Sequence, residues 1–309
     1  MIRKTVGLAA AAVLATGIGT AATAQAQQTN TRQNAATACA LRLGSVTSTG
    51  AFTSRMINAT TPITVGGVRG TAGVFGANQV QHISTFNGTL LGAGGETRTG
   101  LTVMGGALYS STFTVDSESQ LDPHYPHNNL RIGGGWSNYR WIEQSVLQPH
   151  DAQNPSRIQL YGQRTDGTTM RWTADGNGWR NTAGAGGLST VKGIALIGRT
   201  ATTETFLANT RSGSLVTVTW PTKYLAAPSS KVVRSSTWQG FEQLIATKCG
   251  TNGTLLLGID RDTKSGYLYA VSHANGTSTV IKSLGKVPLT FSDPQYFRIA
   301  PRYDVLNGG

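Results

Sequence analysis

The sequence predicts an all-β fold, a five-bladed β-propeller of four-stranded antiparallel blades, and three observations lead there. The chain of 309 residues carries 39 glycines with few Glu and Lys and many Thr, Ser, Val and Tyr, a composition that favours short strands and tight turns. One hairpin pattern, an apolar alternating run on each side of a turn, recurs along the whole body. Apolar patterns of helical period are nearly absent.

The first residues stand apart from that pattern. Arg3 and Lys4 form a short basic head, Val6 to Ile18 is an apolar run of 13 residues, and Ala24-Gln25-Ala26 fits the small-x-small cleavage rule. Thirteen residues fall short of the roughly 20 that cross a bilayer, so residues 1–26 read as a signal peptide and the protein is expected to be secreted and extracellular. Residues 27–38, QQTNTRQNAATA, are too polar to pack and are expected to form a flexible arm. Residues 39–309 are then a single propeller domain, since all-β rings of this size commonly form one domain.

Within the body, residues 40–57 hold a loose first hairpin, and LTVMGGALYSSTFTV (101–115) a second. QLYGQRTDGTTMRWT (159–173) turns at Asp166-Gly167, TFLANTRSGSLVTVTW (205–220) at Ser212-Gly213, and LLLGIDRDTKSGYLYAVS (255–272) completes the set. Gly50, Gly106, Gly167, Gly213 and Gly266, taken as turn anchors, are 56, 61, 46 and 53 residues apart, a spacing suited to four-strand blades. Third strands follow at NNLRIGG (128–134), SKVVRSS (230–236) and STVIKSL (278–284). Linkers then place an aromatic pair three apart, Trp136 with Tyr139 and Trp238 with Phe241, echoed in aliphatic form by Leu188 and Val191. An apolar strand (RWIEQ, GIALIG, QLIATK, YFRIAP) is expected to close each unit. One such sheet cannot bury both faces, so neighbours must stack, and radial stacking of five copies makes the propeller. An open solenoid or a two-sheet sandwich are the alternatives.

Charge and cysteines constrain the setting. Losing Arg3 and Lys4 and no acid leaves 24 basic against 14 acidic side chains, a formal charge of +10. A basic secreted surface attracts polyanions such as cell-wall polymers, but the cations are scattered and no nucleic-acid motif accompanies them. No dedicated nucleic acid, no membrane span, no cofactor and a monomeric state are expected. Cys39, at the threshold of the body, and Cys249, near its last repeat, are expected to pair in an oxidising compartment. The alternative is two buried free thiols. A closed loop of 210 residues would contribute roughly 5 kcal/mol by chain entropy.

Residues GGGWSNYRW followed by RIQLYGQRTDGTTMRWTADGNGWRN resemble the tachylectin-2 type repeat, with its Gly-Trp linker, a first strand in Leu-Tyr, Asp-Gly at the hairpin and a second aromatic strand. The likeness is best over residues 128–181. It implies a five-bladed propeller lectin that binds N-acetylated amino sugars in grooves between adjacent blades, with glycans or cell-wall polysaccharide as its partners. Carried over by position, it implies ligand-binding roles for Trp136, Ser137, Asn138 and Tyr139 in one linker, and for Trp238, Gln239 and Gly240 in another. The residue types suit a sugar: an indole covers the C–H face of a pyranose, and an amide bonds a hydroxyl or acetamido group. The competing reading makes Trp136, Trp172, Trp220 and Trp238 packing residues, with Trp179 in the turn GNGW the more exposed ring.

Other chemistries fare less well. His124 and His127 in DPHYPHNN have Asp122 beside them but no third strong ligand, so no metal site is expected. Asp260-Arg-Asp262 lacks the amide, glycine and closing glutamate of a calcium loop and reads as a hairpin turn. Catalytic residues are not assigned. A propeller glycosidase needs carboxylates converging on the axis, whereas most acids here sit at turns and connectors, and Glu143 and Glu242 read as one repeated structural position. No G-x-S-x-G elbow or Walker motif occurs. The Asn-Gly-Thr triplets at Asn87, Asn252 and Asn275 match a glycosylation sequon, with Asn-Gly read as a turn signal. A propeller glycoside hydrolase and a protein-interaction scaffold remain the alternatives to a lectin.

Overall fold

The computed structural model describes residues 39–148, 156–176 and 178–309; the signal peptide and the arm expected over 1–38 lie outside the described residues. The alternating apolar runs do form hairpins. β1 (Ala40–Val46) pairs with β2 (Phe52–Asn58), which is edged by β3 (Thr64–Val65) and β4 (Arg69–Thr71). A broken inner strand follows, β5 (Val80–Ile83) and β6 (Phe86–Leu90), then β7 (Glu96–Met104), β8 (Ala107–Val115) and β9 (Asn128–Gly134). The next sheet runs β10 (Tyr139–Leu147), β11 (Arg157–Arg164), β12 (Thr169–Ala174), β13 (Trp179–Ala185) in sequence order. The same order holds for β14 (Val191–Arg199), β15 (Thr203–Thr210), β16 (Leu215–Pro221), β17 (Ser229–Arg234). It holds again for β18 (Gln243–Cys249), β19 (Gly253–Asp260), β20 (Ser265–Val271), β21 (Ile281–Lys286). Helix is confined, among the described residues, to two 3-10 turns at Gly92–Gly94 and Gly276–Ser278.

The last strand, β22 (Gln295–Pro301), returns to the start: it pairs antiparallel with β1 and, through Ile299 and Phe86, in parallel with β6. The β1 and β7 strand units thereby share one ten-stranded sheet. Buried apolar residues gather where one unit meets the next. Phe52, Phe86, Phe113 and Phe297 join the first unit to the second, Leu101, Leu108, Trp136 and Leu160 the second to the third. Tyr161, Val191, Phe206 and Trp220 join the third to the fourth, Leu207, Val233, Trp238 and Leu256 the fourth to the fifth. Leu41, Ile57, Ile245 and Leu257 then join the fifth to the first. Each sheet buries both faces only through its neighbours, which is where the hydrophobic driving force lies.

Three details differ from the sequence reading. The apolar strand after each linker opens the following sheet instead of closing the preceding one: β10 pairs with β11, and β18 with β19. Sequential antiparallel pairing is the shorter connection, and the linker makes the crossing between sheets. Gly266 lies in β20 with Phe291 against it, and the turn before it is made by Arg261–Lys264, with Lys264 at φ 51°. Asn87-Gly88 is part of β6, not a turn, whereas Asp260 Oδ1 does cap the hairpin turn by accepting from the Thr263 N–H at 3.0 Å.

A disulfide joins Cys39, just before β1, to Cys249 at the end of β18, as expected. The first and fifth units are thus cross-linked as well as packed. Several buried charges are paired: Glu204, fully buried, accepts from Arg157, Ser145 and Tyr161. Asp304, in the tail after β22, accepts from Arg199 on β14 and Arg298 on β22.

Candidate ligand-binding sites

The linkers place the predicted site residues at two separate junctions. The Trp136 N–H donates to Gly106 O of the preceding hairpin at 2.9 Å, and the Trp238 N–H donates to Gly213 O at the same distance. Each backbone bond pins the linker against the turn of the sheet before it. Trp136 packs on Tyr139 (ring centroids 4.4 Å) and on Trp172 of β12 (4.9 Å). Trp238 packs on Phe241 (5.6 Å) and on Tyr269 of β20 (4.9 Å). Trp172 stands opposite Leu160 and Tyr269 opposite Leu256, equivalent places in their sheets. One aromatic triad is therefore built twice, from a linker residue, its third successor and the third strand.

The indoles themselves are interior: Trp136 is 7% exposed and Trp238 6%. Their neighbours carry the accessible surface. Ser137, Asn138, Gln239 and Gly240 are exposed, and Tyr139, Trp172 and Tyr269 are half-buried. Trp179, expected as an exposed ring, is half-buried beside the Trp136 cluster, and Trp220 is a core residue. Trp172 and Tyr269 are the rings the sequence reading passed over as site residues. Aligning the hairpins from their turns, instead of reading the linkers alone, would have found them.

At the second junction Phe241 lies over Gly258, and at the first Tyr139 lies over Gly162; a Cβ added there would meet the ring at 2.8 and 2.9 Å. In the sheet between them the linker supplies Leu188 and Val191, and the facing residue is Ala208 instead of glycine. Ring size and facing residue are matched, so this middle unit has no aromatic triad.

A second candidate lies among the inner strands. The inner strands β5, β10, β14, β18 and β22 approach one another in cyclic order around a cavity of about 310 Å³. Four residues after Trp136, Leu188, Trp238 and Phe291 stand Arg140, Lys192, Glu242 and Gln295, which share its lining. Glu143 comes seven residues after Trp136, so it stands deeper than Glu242 and the two are not one repeated position. Lys192 Nζ donates to the Glu242 carboxylate and to Gln239 O, and the Arg261 N–H donates to Glu242 Oε2 at 2.7 Å.

Glu143 accepts from Thr85 Oγ1 at 2.5 Å. Burial pushes its carboxyl up to about 7, against the opposing influence of the Thr85 hydrogen bond and the positive charges of Arg298 and Arg199. His82 Nε2 donates to Tyr139 O at 2.8 Å. Burial holds this imidazole below its ordinary range, with the Arg261 charge adding to the effect. His124, by contrast, is bonded to Asp122 in an exposed loop, and no cluster of three metal-ligating side chains occurs among the described residues.

No known family profile and no curated protein matches the chain. Among solved structures it is similar to Aleuria aurantia lectin, described as a fungal lectin with a six-bladed β-propeller fold, at 14% identity over 86% of this chain and 84% of that one, with a TM-score of 0.44. It is similar to AofleA from Arthrobotrys oligospora at 12% identity over 86% and 92%, TM-score 0.39. It is also similar to the α-L-arabinofuranosidase PaAbf62A from Podospora anserina at 12% identity over 69% and 70%, TM-score 0.42. Overlaps of this size decide nothing about the chemistry of this chain.

Proposed function

We propose that the chain is a secreted, lectin-like five-bladed β-propeller that binds N-acetylated amino sugars or related cell-surface glycans in grooves between adjacent blades. The ring reading rests on the cyclic packing of the strand units and the return of β22 to β1. Export rests on residues 1–26 and fits the Cys39–Cys249 bridge, which needs an oxidising space. The observation that carries the binding reading is the aromatic triad built twice, each with an exposed polar rim. At the first, Asn138 offers an exposed amide that bonds nothing among the described residues, beside the half-buried rings of Tyr139 and Trp172. A ring for the sugar face and an amide for an acetamido group are what such a ligand requires.

Glu143 in the inner-strand cavity is the one feature that favours a glycoside hydrolase instead. A glycosidase needs a second free carboxylate opposite it, and Glu242, the other acid lining the cavity, is held by Lys192 and the Arg261 N–H.

A glycan array probed with the mature protein tests the proposal. Glycans ending in N-acetylated amino sugars should be retained, and Asn138→Ala should weaken that retention while melting like the parent. Failure of the parent to retain any such glycan overturns the lectin reading. Unchanged retention by the variant removes this groove from it.

A further inference from the structure

The cavity among the inner strands is separate from both aromatic grooves, and its lining is chemically uneven. Its charged groups are the cations Arg140, Lys192, Arg261 and Arg298 and the carboxyls of Glu143 and Glu242, with His82 beside them. Lys192 is matched by Glu242, and Arg298 by Asp304. Among the described residues no carboxylate forms a salt bridge with Arg140 or Arg261. Arg140 spends one guanidinium nitrogen on Thr165 O. Arg261 has only a 3.5 Å contact with Gln243 Oε1.

Arg261 also occupies a telling place. It belongs to the β19–β20 turn of the fifth unit, yet its charge bears on His82 of the second and Tyr296 of the first. Arg261, His82 and Tyr296 all line the same cavity. Arg261 is solvent-exposed on the cavity rim, with Glu242 near its backbone but no carboxylate salt-bridged to its guanidinium among the described residues. A planar guanidinium is matched best by a carboxylate that takes two hydrogen bonds at once.

The rest of the cavity narrows the ligand class. Its volume of about 310 Å³ lies at the small end of ligand pockets, enough for one sugar-sized molecule and not a chain. Ile83, Ile142, Ile194 and Leu244 give it apolar wall, while Glu143, Thr85 and Gln295 supply acceptors and donors for hydroxyls. A second negative charge on the ligand would meet the Glu143 carboxyl, so a single carboxylate suits the site better than a phosphate monoester. We infer that this cavity is a second binding site, for a small polyhydroxylated carboxylate of the hexuronate class, with Arg261 holding the carboxylate and the deeper polar groups the hydroxyls.

Calorimetric titration of the mature protein tests this with sodium galacturonate and sodium glucuronate as probes, and galactose and glucose as their neutral counterparts. The expected result is saturable binding of a hexuronate at one site, at least about tenfold tighter than its neutral counterpart, the scale of a charge-assisted hydrogen bond. Arg261→Ala keeps the N–H that serves Glu242, so it should melt like the parent and bind the hexuronate about tenfold more weakly. Arg261→Gln is the second variant should the alanine disturb the turn. Asn138→Ala should leave hexuronate binding unchanged, which separates this site from the aromatic groove: either can fail alone. No binding of either hexuronate at about 10 mM, equal binding of the neutral sugars, or full binding by both Arg261 variants would overturn the inference.

Discussion

Lys192, on the inner strand of the fourth unit, is bonded to Glu242 and to the carbonyl of Gln239 at the entry to the fifth. One side chain thus ties an inner strand to the linker of an aromatic groove. Both partners keep about a quarter of their side-chain surface open (26% and 24%), so solvent screens the pair and its net worth is modest. A double-mutant cycle with Lys192→Met and Glu242→Gln should give a coupling of about 0.5–1 kcal/mol that shrinks in high salt. A coupling indistinguishable from zero at low salt would show that packing alone holds this junction.

The match of ring and glycine predicts opposite outcomes at equivalent positions. Gly258→Ala drives a methyl into Phe241 and should cost about 1–3 kcal/mol in urea unfolding. Ala208→Gly, facing an aliphatic linker, should cost only the smaller penalty of glycine in a strand, about 0.5–1 kcal/mol. If the two substitutions cost the same, steric matching to the linker is not what distinguishes the units.

Glu143 makes stability depend on pH in a definite direction. An unfolded glutamate loses its proton near 4.5, and folded Glu143 near 7 because of burial. Between those values the folded state binds a proton that the unfolded state has released, so raising the pH through the window destabilises the fold, and above it the cost is constant. Glu143→Gln keeps an acceptor for Thr85 and cannot ionise beside Arg298 and Arg199. Its melting temperature relative to the parent should rise from pH 4.5 to 7 and then level. A difference that stays flat across this range would show that Glu143 ionises as freely as in solution.

Removing the Cys39–Cys249 bridge should be costly because the bridge spans 210 residues. The chain-entropy estimate is roughly 5 kcal/mol. The return of β22 to β1 retains part of the closure, so paired Cys→Ser substitution should lower the urea midpoint without abolishing folding. Native mass spectrometry of exported protein should find the chain two hydrogens lighter than after reduction. Free thiols in that material would refute the bridge.

The groove residues were legible only in part. The Gly-Trp linker drew attention to Trp136 and Asn138, and the same backbone bond to the preceding hairpin recurs at Trp238. Linear spacing gave no way to see that these indoles turn inward while Trp172 and Tyr269, from a different strand, stay half-buried beside them. Glu143 and Glu242 were misaligned for a related reason: both follow an aromatic residue, but depth along an inner strand is counted from the linker, and only the pairing of β10 and β18 sets that count.

Local alternation and turn residues determined by themselves that this protein is all-β and that its hairpins lie at the five repeats, and the two cysteines made a Cys39–Cys249 bridge the expectation. These are short-range signals: strand propensity, turn chemistry and side-chain alternation act over a few residues. Tertiary structure alone decided which sheet each inner strand joins, which rings are buried, and that Arg261 and poorly solvated Glu143 share one cavity. Those properties arise where five separate strand units converge, and burial and charge compensation there depend on residues more than a hundred positions apart, which no local pattern encodes.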